Sequence, residues 1–299
     1  MVVLAAEFLH QVATALSDAT GEAVAGLQAI PIGGGDINAA FRLASAQRNY
    51  FLKINRVERL AMFEAEAAAL HEIAATKTVR VPLPVCAGVS DGRSWLVLEW
   101  LDLHALDSET AGQLGRGLAR LHSHGVAQFG WHRDNTIGTT PQPNAWNADW
   151  IEFWKTQRLG FQLRLAAQNG HGGRLQALGE NLIDCCPALF RGHSPQASLL
   201  HGDLWGGNVA CDATGEAVIY DPASYYGDRE ADLAMSELFG GFPSSFMRAY
   251  EEAWPVDEGY SLRRDFYNLY HLLNHLNLFG HGYLARSEAV MQRLLAELN

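Results

Sequence analysis

The chain has 299 residues, more than a single hydrophobic core usually serves, so two lobes are expected. Apolar residues make up 48%, ample for a core, and a formal charge of −11 argues against binding nucleic acid or an anionic membrane through a broad basic face. Cys86, Cys185, Cys186 and Cys211 are irregularly spaced, the opening residues lack a basic signal-peptide region and no uncharged apolar run reaches about 18 residues, so a soluble cytoplasmic protein with reduced thiols is expected.

Leu4, Phe8, Val12 and Leu16 recur at helical spacing and predict an amphipathic first helix. Strands are expected at 29–32 and 39–43, joined by Gly33, Gly34, Gly35, Asp36, Ile37 and Asn38. A glycine-rich turn between two strands can lay backbone N–H groups over the phosphates of a nucleotide. The spacing is not that of protein kinases, and a plain hairpin turn fits the glycines as well. A polar turn then leads into a strand at 50–54. Its Lys53 is unusual, because a charge inside an apolar strand must reach water or a partner. An outward-pointing edge position is one reading. The other needs a carboxylate downstream. Met62, Glu66, Leu70 and Ile73 share one helical stripe, which sets Glu66 among core-facing residues, whereas Glu64 lies about 200° around the helix and faces solvent. A Lys53–Glu66 pair would orient the lysine toward the α- and β-phosphates of a nucleotide.

A Pro-rich lead-in at 81–85 precedes a buried strand over 94–101 that ends in Glu99, Trp100 and Leu101. These three are either the exit of an ordinary core strand or the connection whose backbone meets an adenine edge. The lobe boundary is placed here from the order of functions, giving a nucleotide-binding lobe over 1–101 and a catalytic and substrate lobe over 102–299. Helices dominate from residue 108. Leu114, Leu118 and Leu121 form one stripe, with Gly125 beyond it as a stop. Residues 130–144 form a long polar connection of the kind that more often carries function than not. Trp150, Phe153, Trp154, Gln157, Phe161 and Leu165 trace another helix, a helical run starts at Asp232, and residues 262–284 are expected as a helix with its exit loop.

The chemistry concentrates between 201 and 221. His201, Gly202, Asp203, Leu204 and Trp205 lead through two glycines to Asn208, and Asp221 follows thirteen residues later. Strand composition at 208–211 and 216–220, with turn chemistry over 212–215, predicts a hairpin. Its outer ends would bring Asn208 and Asp221 together across strands roughly 4.7–4.9 Å apart, as two oxygen donors able to share Mg²⁺. Asp203, upstream in a loop, is free to accept a proton from a hydroxyl. This is the order of the kinase catalytic loop and its metal-binding aspartate, with glycine in place of the loop arginine. Only ten residues separate Asp221 from Asp232, which leaves no room for a long activation segment and disfavours a protein kinase.

These motifs resemble the fructosamine (ketosamine) kinases, small-molecule relatives of aminoglycoside and choline kinases. The resemblance covers nearly the whole chain and is most specific over 134–164 and 201–234. It implies an α+β, protein-kinase-like two-lobed fold with a small antiparallel-sheet N-lobe and a mostly helical C-lobe. It further implies ATP bound between the lobes, Mg²⁺ held by Asn208 and Asp221, and Asp203 as the base that deprotonates the 3-hydroxyl of a small-molecule or protein-bound ketosamine. The phosphorylated product then breaks down and frees the amine, which is deglycation. Trp205, Asp134, Asn135, Tyr267, His271 and Asn274 are the expected acceptor wall, Trp205 having a structural role as its alternative. His201 and Asp232 are expected to support the loop, Asp232 as an acceptor for its backbone. Several family members carry a cysteine where this chain has Asp36, so a redox switch on that thiol is not expected.

Three other readings compete. A kinase of the same fold acting on an aminoglycoside, choline or an amino alcohol would share everything except the 134–164 segment. A nucleotide-binding pseudokinase would usually have lost the lysine, the base or a metal ligand, and all are present. A zinc site from His271, His275 and His281 lacks the glutamate of the H-E-x-x-H motif, and pocket or core histidines fit better.

Overall fold

The structure, a computed structural model, describes residues 4–33 and 37–298. Gly34, Gly35 and Asp36 of the glycine-rich turn lie outside the described residues. The chain divides into two compact units, Met1–Ala105 with Ala210–Tyr220, and Leu106–Val209 with Asp221–Asn299. The first division falls at residue 105, against the 101 read from the sequence. The hairpin expected within the second lobe groups with the first unit.

The first unit carries helices α1 (Ala6–Thr20) and α2 (Leu60–Thr76) and an antiparallel sheet of β1 (Gln28–Ile32), β2 (Ala39–Ala44), β3 (Asn49–Arg56), β4 (Pro84–Ser90) and β5 (Arg93–Glu99), in the order β1-β2-β3-β5-β4. Strand alternation decides which face each residue serves. Tyr50, Leu52 and Ile54 of β3 pack into one cluster with Phe8, Val12 and Leu16 of α1. Lys53, between them, takes the opposite face. β3 is an interior strand, between β2 and β5, and Lys53 is itself buried on that face. The edge reading of Lys53 is therefore excluded. A second small sheet joins Leu103–His104 to the hairpin of Val209–Asp212 and Ala217–Ile219. Asp212 Oδ1 accepts from the backbone N–H of Thr214 and Glu216 and sets the turn.

The second unit is mostly helical: α3 (Ser108–His122), α4 (Trp150–Phe153), α5 (Gly160–Gln168), α6 (Arg174–Cys185), α7 (Glu230–Leu238), α8 (Ser244–Ala253), α9 (Tyr260–Phe279) and α10 (Leu284–Leu298). A π-helical segment, Trp154–Leu159, joins α4 to α5, so the helix predicted from Trp150 is one run with a widened turn. Asp107 caps α3 by accepting the Thr110 N–H, and α3 lies against α8 through Gly115, where a Cβ would sit 2.2 Å from the Phe246 carbonyl oxygen. The 130–144 connection contains a small hairpin of Asn135–Ile137 and Thr140–Gln142. All four cysteines are free, and burial pushes the thiols of Cys86 and Cys186 up to about 12, so neither is a ready nucleophile. Among the described residues no helix is long and apolar enough to cross a membrane.

Candidate active site

The 201–208 loop is built on backbone contacts. Gly202 has φ +83°, and a Cβ there would lie 2.1 Å from the Ala223 carbonyl oxygen, while the Ala223 N–H donates back to His201 O at 2.9 Å. That close approach explains glycine where protein kinases have arginine. Asp232, at the start of α7, accepts the backbone N–H of His201 at 2.7 Å and of Gly202 at 2.8 Å. His122 Nε2 reaches the same carboxylate at 3.2 Å, and His122 Nδ1 lies 2.8 Å from the Tyr250 hydroxyl. Burial alone would raise the Asp232 carboxyl. The bond and charge of His122, with His201 and the Gly202 N–H, outweigh it and hold the group below the usual carboxylate range. His122 and Tyr250 were not legible as site residues, because nothing in their spacing separates them from core positions.

Asp203 is half-buried between this brace and Asn208. Its N–H donates to His201 Nδ1 at 3.2 Å, and Asn208 Nδ2 donates to its carbonyl at 2.9 Å and to its Oδ2 at 3.1 Å. Burial pushes the Asp203 carboxyl up to about 7; the Asn208 bond opposes this, and the charges of Asp221 and Asp232 add to it. A carboxylate with that pKa is suited to take a proton near neutral pH. With Nδ2 of Asn208 turned to Asp203, its Oδ1 remains an acceptor. Asp221 is exposed, with a left-handed backbone (φ 56°) just after the hairpin. One amide oxygen and one carboxylate suit a hard cation such as Mg²⁺.

In the first unit, Lys53 Nζ donates to Glu66 Oε1 at 2.6 Å, with both residues buried and Glu64 exposed. Removing one partner would strand a buried charge at a cost of about 3–5 kcal/mol. The described end of the glycine-rich turn is tied to β3, since Asn55 Nδ2 donates to Asn38 Oδ1 at 2.7 Å and to Ile37 O at 3.1 Å. Gly33 leaves open space where a Cβ would sit. Glu99 is anchored by bonds that do not involve its carbonyl. Its carboxylate takes the Leu83 N–H at 2.8 Å and Arg80 at 3.1 Å, and its own N–H donates to Leu83 O at 2.9 Å, so side chain and N–H are both spent. Trp100 Nε1 donates to Asp102 at 2.8 Å, with Arg42 over its ring, and Leu101 is half-buried.

The expected acceptor wall divides into surface and core. Trp205 is 39% exposed, its ring lies over Gly207, and it meets Phe239 edge-on at 6.2 Å. Gly206 lets Gly241 approach backbone to backbone, with 3.2 Å between the Cβ position and the Gly241 Cα. Asp134 is exposed, and its Oδ1 takes the Asn144 N–H at 2.8 Å. Asn135 is not available to a ligand: Nδ2 donates to Ser224 O at 2.8 Å, and Oδ1 accepts from Gln142 at 2.8 Å and Asn144 at 2.9 Å. Gln142 also donates to Ala223 O at 3.0 Å, so the loop is pinned to the segment that follows Asp221. Arg158, fully buried in the π-helical turn, donates to Asn144 Oδ1 at 2.6 Å and lies 4.0 Å over the Tyr225 ring. A cation midway along an apolar helix was the available signal for it.

Tyr267 is a correction. It is fully buried, donating to Asp228 Oδ2 at 2.6 Å and accepting from Trp150 Nε1 at 2.9 Å, because the neighbouring cluster of His193, Asp228, Glu230 and Arg263 needs its hydroxyl. Asn274 is also interior, facing Gln162 at 3.3 Å and Ile137 O at 3.5 Å. Burial, with His275 adding, lowers the buried His271 to about 3, so it stays a neutral imidazole. The fallback zinc set does not assemble. Among the described residues the metal-capable group is His193, Asp228 and Glu230, and Arg263 already neutralises Glu230 at 2.6 Å.

Residues 8–297 match the fructosamine kinase family. A protein of Synechocystis sp. assigned as a ketoamine kinase is 44% identical over 285 residues, covering 95% of this chain and 96% of that one. The chloroplastic protein-ribulosamine 3-kinase of Arabidopsis thaliana is 44% identical over 270 residues, 89% of this chain and 82% of that one. A crystal structure assigned to fructosamine-3-kinase, from Haemophilus somnus 129PT, superposes with a TM-score of 0.87 at 29% identity, covering 97% of this chain and 98% of that chain.

Proposed function

This chain belongs to the fructosamine kinase family, and from that premise we propose that it is an ATP-dependent kinase phosphorylating the 3-hydroxyl of ketosamines, the first step of deglycation. The observation that carries the transfer chemistry is Asp203, a half-buried carboxylate raised to about 7 and fixed by Asn208. Asp203 takes the hydroxyl proton as the sugar oxygen bonds to the γ-phosphorus and the bond to ADP breaks. Asp232 and His201 act through Asp203 by holding its loop. Asn208 Oδ1 and Asp221 would hold Mg²⁺, whose charge offsets that of the phosphates. Lys53, oriented by Glu66, is the candidate for the α- and β-phosphates, with Gly33 to Asn38 as their backbone cradle and Trp100 and Leu101 beside the base. Trp205 offers the sugar a flat apolar face, and Asp134 an acceptor for its hydroxyls.

A phosphate at C3 leaves readily from the enaminol of the ketosamine, and water then releases the amine. Incubation of fructosyl- or ribulosyl-lysine with Mg·ATP, followed by ³¹P NMR and amine assay, is expected to give a sugar phosphate that decays to inorganic phosphate as free lysine appears. ATP consumption with a stable phosphate on another hydroxyl would contradict the reading.

A further inference from the structure

Away from the transfer site, a cavity of about 420 Å³ opens among the C-terminal end of α7, α9 and α10. Its charged lining is three arginines against two carboxylates, a local positive excess in an acidic chain. Both carboxylates are already answered. Arg264 reaches Glu237 at 3.0 Å, and Arg293 reaches Asp265 at 2.7 Å. Arg286, exposed at the rim, has no carboxylate within ion-pair distance among the described residues. Asn268 is only 7% exposed, and its Oδ1 is buried without a hydrogen-bond partner. A buried acceptor left without a donor is unfavourable, so the cavity is built for a ligand that brings an N–H or O–H and a negative charge.

The cavity borders the acceptor side of the active site, since Leu238 of its lining precedes Phe239 and Arg286 of its lining acts on the charge of His275. Asn268, Leu272, His275 and Phe279 follow one another along one face of α9. Phe239 stacks on His275 at 4.9 Å and 13°, and meets Trp205 edge-on at 6.2 Å. Phe279, 58% exposed, extends the same surface. An aromatic ledge thus leads from the indole two residues after Asp203 to the rim of the cavity at Arg286, two turns of α9 from the unsatisfied amide.

We propose that this ledge and cavity dock the polypeptide bearing the ketosamine. The stem of the modified lysine lies along Trp205, Phe239 and His275, a main-chain N–H of the substrate donates to Asn268 Oδ1, and an acidic side chain meets Arg286. The proposal rests on the ketosamine reading above. The span from His275 to Asn268 is about 10 Å at 1.5 Å per helical residue. Extended chain covers about 3.3 Å per residue, which puts the residue whose N–H meets Asn268 about three positions from the modified lysine, and the acidic residue, which meets Arg286 beside His275, within that span.

The test uses two ribulosylated peptides that differ only in carrying Asp or Lys within that span, with ribulosyl-lysine blocked at both ends as reference. The native enzyme is expected to favour the Asp peptide about fivefold in kcat/KM, the scale of a rim ion pair. Arg286→Glu should reverse the order, and Asn268→Leu should weaken both peptides alike, with the reference unchanged in each variant. An order indifferent to Arg286→Glu, or a reference that falls with the peptides, would overturn the proposal. Equal use of both peptides, with reference turnover inhibited by inorganic phosphate through Arg286, would replace it with a small-anion site. Failure of the native enzyme to phosphorylate the reference would instead overturn the ketosamine reading itself.

Discussion

Asparagine in place of Asp203 is expected to lower turnover of a ketosamine by about 10²–10⁴-fold, the usual worth of a positioned general base. The substitution keeps the shape of the side chain and its bond to Asn208 Nδ2, so ATP affinity should stay near that of the native protein. The native enzyme should show the matching pH dependence. Asp203 accepts a proton only when ionised, and burial raises its carboxyl to about 7. Activity should therefore rise with pH through that region and level off above it, and the residual activity of Asp203→Asn should lose this limb. Near-normal turnover in the variant, or an unchanged limb, would assign the base elsewhere.

The second large effect is expected at the cation ligands. Asn208→Ala and Asp221→Asn should each raise the Mg²⁺ concentration needed for half-maximal velocity and lower kcat by about 10²–10³-fold, the scale of losing a group that stabilises transferred charge. Residues that share one ion act as a unit, so the double variant should cost less than the product of the two single losses. Asn208 also fixes Asp203 through its bonds of 2.9 and 3.1 Å, so its loss should reach kcat even at saturating Mg²⁺. Titrating Mg²⁺ against velocity for the three variants decides the matter. Strict multiplicativity would show that Asn208 and Asp221 serve different ions.

The main contours of the fold were legible because they rest on short-range rules. Alternation in β3 separates Lys53 from Tyr50, Leu52 and Ile54, and the 3.6-residue period separates Glu66 from Glu64. The turn chemistry over Asp212 to Gly215 marks the hairpin. Helices α6, α8 and α10 lie outside the elements read from the sequence, although their apolar residues recur at helical spacing, as Val290, Met291 and Leu294 of α10 do. Periodicity also sets Tyr267, His271 and Asn274 near one another on α9, but it does not say whether a polar face meets a ligand or other polar groups. Here Asp228 and Gln162, both distant in sequence, answer Tyr267 and Asn274. The same limit applies to Asn135, whose partners Gln142 and Asn144 become neighbours only when residues 135–142 fold into a hairpin. The pairing of Gly206 with Gly241 left no trace in either segment alone, since a close backbone approach is a property of two chains.

The acceptor is the central claim, because a transfer apparatus of this kind says only that a hydroxyl receives phosphate. A polycationic aminoglycoside would call for a dense set of free carboxylates near Asp203. The surface there instead offers the exposed indole of Trp205, Phe239 and the partly exposed His275. The deciding measurement is kcat/KM, by ATP consumption, across fructosyl-lysine, ribulosyl-lysine, kanamycin and choline at one pH and one Mg²⁺ concentration. Ketosamines should be phosphorylated about 10⁴-fold better than the other two, the scale set by hydrogen-bonding groups left unpaired with a wrong acceptor. A preference for kanamycin or choline with both ketosamines inert would contradict the assignment while leaving the role of Asp203 intact.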